Sequence, residues 1–148
     1  MNFEFEFTLS ATLKAPVDIG PGPFGVRRYF EVSGGAVEGT KLNGKILTGG
    51  GDWLLVGTDG FARLDVRAQL LTDDGAFIYL NYPGLLEFNK VGQALATGGS
   101  TDYGDHYLRT TPRFETGDPR YAWLNQSLYV AEGRLRDGIL EYKIYRVD

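Results

Sequence analysis

Phe3-Glu4-Phe5-Glu6-Phe7-Thr8-Leu9-Ser10-Ala11-Thr12-Leu13 alternates apolar and polar residues without a break. Phe3, Phe5, Phe7, Leu9, Ala11 and Leu13 fall on one face, and Glu4, Glu6, Thr8, Ser10 and Thr12 on the other. A period of two marks a half-buried strand, because successive side chains of an extended backbone point to opposite sides. Pro16 ends the run, and Gly20-Pro21-Gly22-Pro23 reads as a loop over one end of the domain.

The same pattern recurs along the chain. Strands are expected at Val26–Ser33, Lys45–Leu47, Trp53–Val56, Phe61–Leu71, Ala76–Tyr82, Tyr107–Phe114, Trp123–Glu132 and Ile139–Val147. Gly34-Gly35, Gly49-Gly50-Gly51, Asp59-Gly60, Asp74-Gly75, Gly117-Asp118-Pro119 and Asp137-Gly138 separate them. Asp-Gly between alternating runs is a hairpin signal, because primed turns need positive φ. Leu85–Leu95 is the best helix candidate, weakened by Gly92, and Gly98-Gly99-Ser100 reads as a mobile loop. Eight to ten antiparallel strands, with no repeat and no linker, predict an all-β fold: one antiparallel barrel over residues 1–148, with a sandwich as the neighbouring option.

Composition narrows the function. The 148 residues include 43% hydrophobic and 14% aromatic residues, enough for a sizeable core. A net charge of −4 offers no basic field for phosphate backbones, so nucleic acid is not an expected partner. The absence of cysteine excludes disulfides, thiol nucleophiles and thiolate metal sites. The N-terminal alternation does not resemble a signal peptide, and no apolar run is long enough to span a bilayer. The expectation is a cytoplasmic protein with no membrane partner, no metal and no cofactor.

Two hairpins bear on the site. If Asp59-Gly60 and Asp74-Gly75 are two-residue loops, Asp52 faces Arg67 and Arg67 faces Tyr82, with Asp65 on the same face. Such a row, flanked by Leu54, Val56, Ile78 and Leu80, would make a polar spot in an apolar cavity. Three-residue loops with glycine at the bulge position fit equally well. They put Trp53 opposite Asp65 and move these pairings; separately, Arg63, Asp65, Arg67 and Gln69 can be read simply as a solvated outer face.

Further candidates lie downstream. Arg109, Thr111 and Arg113 share strand parity, and the two arginines with Glu115 could hold a carboxylate or an enolate oxygen. Trp123, Asn125, Ser127 and Tyr129 share a face that would serve as a ligand wall or a barrel seam. His106, the only histidine, reads as a solvated loop side chain and cannot alone build a histidine metal site. The spacing of Asp102, Asp105 and Asp118 does not fit a calcium loop.

Several motifs carry a resemblance: Arg27-Arg28-Tyr29-Phe30-Glu31-Val32, Gly49-Gly50-Gly51-Asp52-Trp53, Leu64-Asp65-Val66-Arg67-Ala68, Arg109 through Asp118, and Tyr121-Ala122-Trp123-Leu124-Asn125. In these the chain resembles a bacterial and fungal family, domain of unknown function 3237. The resemblance implies a calycin-like β-barrel and says little about activity. The polar positions of the family's motif fall on Asp52, Asp65, Arg67, Arg109, Arg113, Glu115, Trp123 and Asn125.

The resulting expectation is a small-molecule-binding barrel, with cofactor-independent acid–base chemistry (cyclisation, isomerisation, hydration or lyase) on an aromatic or polyketide-like metabolite. Asp52, Asp65, Arg67, Tyr82, Arg109 and Glu115 are the catalytic candidates, and Trp53, Arg113, Trp123, Asn125 and Tyr129 the ligand-binding ones. The alternatives are a non-catalytic carrier barrel and a structural assembly protein. Exposed strand edges could pair in a homodimer.

Overall fold

The computed structural model describes all of residues 1–148. Its strands are β1 (Phe3–Leu13), β2 (Val17–Gly22), β3 (Gly25–Gly39), β4 (Gly44–Ile46), β5 (Gly51–Val56), β6 (Phe61–Thr72) and β7 (Phe77–Glu87). After helix α1 (Phe88–Thr97) come β8 (Leu108–Thr110), β9 (Arg113–Glu115), a 3-10 helix (Pro119–Gln126), β10 (Leu128–Arg136) and β11 (Ile139–Val147). Eight strands close a ring in the order β6-β5-β3-β1-β11-β10-β8-β7, with β7 pairing back to β6. Strands β2, β4 and β9 are additions at the edges of this antiparallel barrel.

The alternation seen in the sequence becomes inside and outside. Phe7, Leu9 and Ala11 of β1 point inward, as do Leu64, Val66, Ala68 and Leu70 of β6 and Ile78, Leu80 and Tyr82 of β7. Leu108, Tyr129, Ala131, Leu135, Tyr142 and Ile144 complete the lining from the other wall. The side chains fill the interior, as expected for an eight-stranded barrel. At the start of β1 the burial stops: Phe3 and Phe5 are exposed although they share the parity of Phe7, where the β1–β11 register shifts. No helix is long and apolar enough to cross a membrane.

Several local expectations are corrected. The segment Gly20-Pro21-Gly22-Pro23 is not simply a loop: β2 runs through Gly22 and pairs with β3, and Asp18–Gly20 carries a register shift. Because β2 has only one partner, Pro21 sits on an edge where a missing N–H is tolerated. Gly34-Gly35 does not end β3, which continues to Gly39 and bends across both β1 and β5. A Cβ on Gly35 would lie 2.0 Å from the Ser10 carbonyl oxygen, so only glycine allows this crossing. Leu85–Glu87 extend β7, and the helix starts at Phe88. The expected strand Trp123–Glu132 is half 3-10 helix, capped by the Asp118 carboxylate accepting from the Arg120 N–H at 2.9 Å. Tyr107–Phe114 is two short strands, broken at Thr111-Pro112.

Both hairpins have three-residue loops. Gly57 N–H donates to the Phe61 carbonyl and Thr72 N–H to the Ala76 carbonyl, enclosing Thr58-Asp59-Gly60 and Asp73-Asp74-Gly75. Only the glycines reach positive φ, at 82° and 91°. The two-residue pairing Asp52–Arg67–Tyr82 is therefore incorrect. The observed rungs are Asp52↔Val66↔Tyr82 inside and Gly51↔Arg67↔Asn81 outside. One residue of extra loop moved Arg67 from the core face to the outer face, since the side-chain period is two.

Candidate functional site

Asp52 is a charged side chain among the core-lining residues, 8% exposed. Its position follows from a gap in the β5–β6 ladder, which pairs at Asp52↔Val66 and resumes at Leu55↔Arg63. Within the gap the Asp52 Oδ1 accepts the Asp65 N–H at 3.0 Å, replacing a missing backbone acceptor. Burial pushes the carboxyl up from 3.8 to about 6, against the pull of that hydrogen bond. Tyr82 shares its rung through Val66, and its phenol is raised by burial and by the Asp52 charge. The Tyr82 and Tyr142 rings meet edge-on at 5.6 Å, and the Tyr142 hydroxyl has no partner of full hydrogen-bond geometry. This cluster is enclosed by aliphatic side chains and opens on none of the large surface grooves described below.

The other expected residues lie elsewhere. Asp65, Arg67, Arg113 and Glu115 stand on the outer wall. Trp53 is also outside, its ring 4.8 Å from that of Tyr29. Trp123 lies half-buried in the 3-10 helix with the Lys41 ammonium 5.2 Å over its ring. Asn125 clamps β9 to that helix, its amide donating to the Thr116 carbonyl and accepting the Thr116 N–H, both at 2.9 Å. Tyr129 is buried, packed against Phe7 and Phe114 at 6.4 and 5.2 Å. The four residues Trp123, Asn125, Ser127 and Tyr129 therefore share no face, because the 3-10 turn rotates the first two away. His106 is buried rather than solvated. Its Nε2 lies 2.7 Å from the Thr101 hydroxyl, and burial pulls its pKa below the ordinary value.

Arg109 meets a predominantly apolar groove, while Arg67, Arg113, Glu115 and Asn125 line smaller ones elsewhere on the wall. A groove of about 660 Å³ runs along the outer wall where β7, β8, β10 and β11 meet. Phe3, Pro83, Leu85, Tyr107 and Val130 form its apolar walls. Three polar groups converge on it. The Arg109 guanidinium lies 4.0 Å from the Glu132 carboxylate, and the Tyr145 hydroxyl donates to Glu132 Oε1 at 3.1 Å. The Tyr107 ring lies 5.3 Å from the Arg109 guanidinium and fixes its plane. Register explains the convergence: Arg109 faces Leu85 on one side and Glu132 on the other, while Tyr145 pairs with Val130 one rung away. Burial, with the hydrogen bond to Glu132, raises the Tyr145 phenol, which favours its protonated form.

Glu132 and Tyr145 were missed from sequence, although a signal existed. Asp137-Gly138 is a true two-residue turn, with φ 52° and 77°, and Arg136 faces Ile139 across it. Counting back from that turn places Glu132 and Tyr145 on one face of the β10–β11 hairpin, and the β8–β10 pairing, which only the fold supplies, brings Arg109 beside them.

Fold and groove define a class: closed eight-stranded antiparallel barrels with a filled core and a ligand-sized groove on the outer wall. The chain belongs to the family described as Protein of unknown function (DUF3237), whose model matches residues 1–147. A UPF0311 protein of Clostridium acetobutylicum is 34% identical, over 99% of this chain and 94% of its own length. A crystal structure from Rhodopseudomonas palustris superposes with a TM-score of 0.91 at 30% identity, covering 99% of this chain and 97% of the other. A β-barrel-like protein of Acinetobacter baumannii gives 0.83 at 34% identity, over 99% and 96% of the two chains. Two fungal proteins are more distant. The PR-toxin biosynthesis cluster protein 7 of Penicillium roqueforti is 34% identical over 72% of this chain and 59% of its own. A structure described as an enzyme from Penicillium herquei shares the fold, with a TM-score of 0.75 at 20% identity over 99% and 94% of the two chains.

Proposed function

We propose that this protein is a cofactor-independent acid–base enzyme acting on a small aromatic carbonyl compound in the outer groove. The observation that carries this reading is the convergence of Arg109, Glu132 and Tyr145 on an apolar groove of about 660 Å³. A few fixed polar groups in an apolar cleft suit a ligand that is mostly ring with one reactive oxygen. A relative named for a toxin-biosynthesis cluster and a fold neighbour described as an enzyme are compatible with catalysis on this barrel.

The simplest reaction these groups support is enolisation. Glu132 takes a proton from the carbon beside the ligand carbonyl, and the C–H electron pair becomes the enolate. Arg109 holds the oxygen where negative charge develops. The Tyr145 O–H occupies one Glu132 oxygen and leaves the other to act as base. Return of the proton to another carbon gives an isomer; attack of the enolate carbon on a second carbonyl of the same molecule, whose C=O π pair moves to its oxygen and takes the proton back from Glu132, gives a ring.

Incubation with acetophenone-type aryl ketones in deuterated buffer, followed by proton NMR, tests the reading. Deuterium should enter the α-position faster than in buffer alone. Glu132→Gln should slow exchange about a hundredfold or more, the usual range for loss of a general base. Val130→Trp, which fills the groove, should abolish binding. Exchange by Glu132→Gln at the wild-type rate would refute the acid–base role. Binding with no exchange in any variant would leave a carrier.

A further inference from the structure

Arg67, Asn81 and Arg113 form one rung across β6, β7 and β9 on the outer wall. The next rung is Gln69, Tyr79 and Glu115. Tyr79 borders several grooves, two of which flank the Arg67–Asn81–Arg113 rung. One, of about 280 Å³, is lined by Thr48, Gly49, Gly50, Arg67, Gln69 and Tyr79 among others. The other, of about 550 Å³, takes in Asn81, Arg113, Glu115, Asn125 and Ser127. A side chain on Gly50 would strike the Arg67 carbonyl at 2.4 Å, so β6 and the glycine run before β5 lie against each other and leave the Arg67 side chain open.

The arginines here differ from the rest. Arg27 donates to the Trp53 carbonyl, and Arg28, Arg63, Arg109, Arg120, Arg134, Arg136 and Arg146 each have a carboxylate within 4.0 Å. The side chains of Arg67 and Arg113 have no hydrogen bond and no ion pair, although Glu115 lies two residues from Arg113 on the same face. Strands lie about 4.8 Å apart, so the two guanidiniums rise from backbones roughly 10 Å apart with Asn81 between them. Like charges at that spacing repel rather than stabilise, and each fork keeps its full set of donors. The fold gives these two side chains nothing to do.

We propose that Arg67 and Arg113 form an oxyanion site that binds the carboxylate or phosphate group of a small molecule over Asn81. Each guanidinium offers a planar pair of donors that matches a carboxylate or phosphate edge. The Asn81 amide lies centrally to supply a third donor. Glu115 and Tyr79 border the site on one side and select against a second negative charge there, taking a hydroxyl or amino group instead. This site is separate from the Arg109–Glu132–Tyr145 groove and stands whether or not that groove is catalytic.

The test is titration of the wild-type protein with benzoate, inorganic phosphate and neutral benzamide at low and high salt. The readout is the Nε–H NMR signals of Arg67 and Arg113. Both signals should move with at least one anion and with neither benzamide nor an ionic-strength control of sodium chloride. Benzoate alone would specify a carboxylate, phosphate alone a phosphate, and both the shared chemistry. Arg67→Gln and Arg113→Gln should each weaken binding about tenfold or more, and Glu115→Gln should tighten it by removing a repelling charge. The Arg67→Gln/Arg113→Gln double variant should melt at or above the wild-type temperature. Absence of anion-specific shifts overturns the proposal, as does a response equal to that of sodium chloride. A marked fall in melting temperature in the double variant would also overturn it, because the arginines would then serve the fold.

Discussion

Asp52 shows how one side chain can hold two strands together at a cost. Its oxygen takes the Asp65 N–H that the interrupted β5–β6 ladder leaves free, but that requires a carboxyl group in an apolar interior. The rise from 3.8 to about 6 corresponds to about 3 kcal/mol of preference for the neutral form. The folded state therefore keeps a proton on Asp52 that the unfolded chain loses. Stability from this residue is complete below about pH 4, declines as pH rises through about 6, and is constant above that. Asn at this position keeps an acceptor for Asp65 and carries no charge. Asp52→Asn should stabilise the protein by about 1–3 kcal/mol at pH 7 to 8, with the gain vanishing near pH 4. Urea unfolding of both proteins at several pH values measures this, and a gain independent of pH would contradict it.

At the scale of elements, short turns decide what faces where. Asp59-Gly60, Asp74-Gly75 and Asp137-Gly138 look alike in sequence, yet only Asp137 itself adopts positive φ. The first two turns are one residue longer in the structure, and that residue moves Arg67 to the outer wall. The β3 crossing depends on glycine in another way. Gly35 has φ 150° and lies against the Ser10 backbone, whereas Gly49, at φ 96°, has open space around its Cβ position. Gly35→Ala should therefore cost about 3 kcal/mol or more, because backbone must move apart to admit the methyl. Gly49→Ala should cost only about 1 kcal/mol, the conformational part. Equal losses in the two variants, measured by urea unfolding, would show that close approach is not what fixes Gly35.

At the scale of the molecule, the segment after α1 is fastened to the far end of the β10–β11 hairpin. Thr101 N–H donates to the Leu135 carbonyl, the Leu135 N–H donates to the Thr101 hydroxyl, and the Gly138 N–H donates to the Gly99 carbonyl. Under this seam lies His106, bonded to the same Thr101 hydroxyl and with its Nδ1 buried and unpartnered. Burial lowers its pKa, so the unfolded chain takes up a proton that the folded one resists. His106 therefore supports the fold above its ordinary value near 6.5, and that support is lost as pH falls below it. His106→Asn, which can keep the Thr101 bond, should lose less stability than wild type between pH 7 and 5. Parallel slopes in thermal melts of the two proteins would refute this role.

The sequence determined most of the strands and which of their residues share a face, because alternation is a local property of the extended backbone; the Gly20–Gly22 end of β2, read as loop, and Trp123–Gln126, read as strand, were settled by the fold. The inward set Phe7-Leu9-Ala11 was legible in that way, and so was the antiparallel barrel class, whereas on β6 the favoured reading turned Asp65 and Arg67 inward and the structure turns Leu64, Val66, Ala68 and Leu70 there instead. Tertiary structure decided how one strand's faces line up with the next. That depends on turn conformation, on the glycine crossing at Gly35, and on pairings such as β1 with β11 that join distant parts of the chain. It also decided that Asp52 and Tyr82 share the interior while Arg67, Arg109, Arg113 and Glu115 share the outer wall. Which charged groups find partners is set by three-dimensional distance, so the unpaired state of Arg67 and Arg113 could not be read from the order of residues.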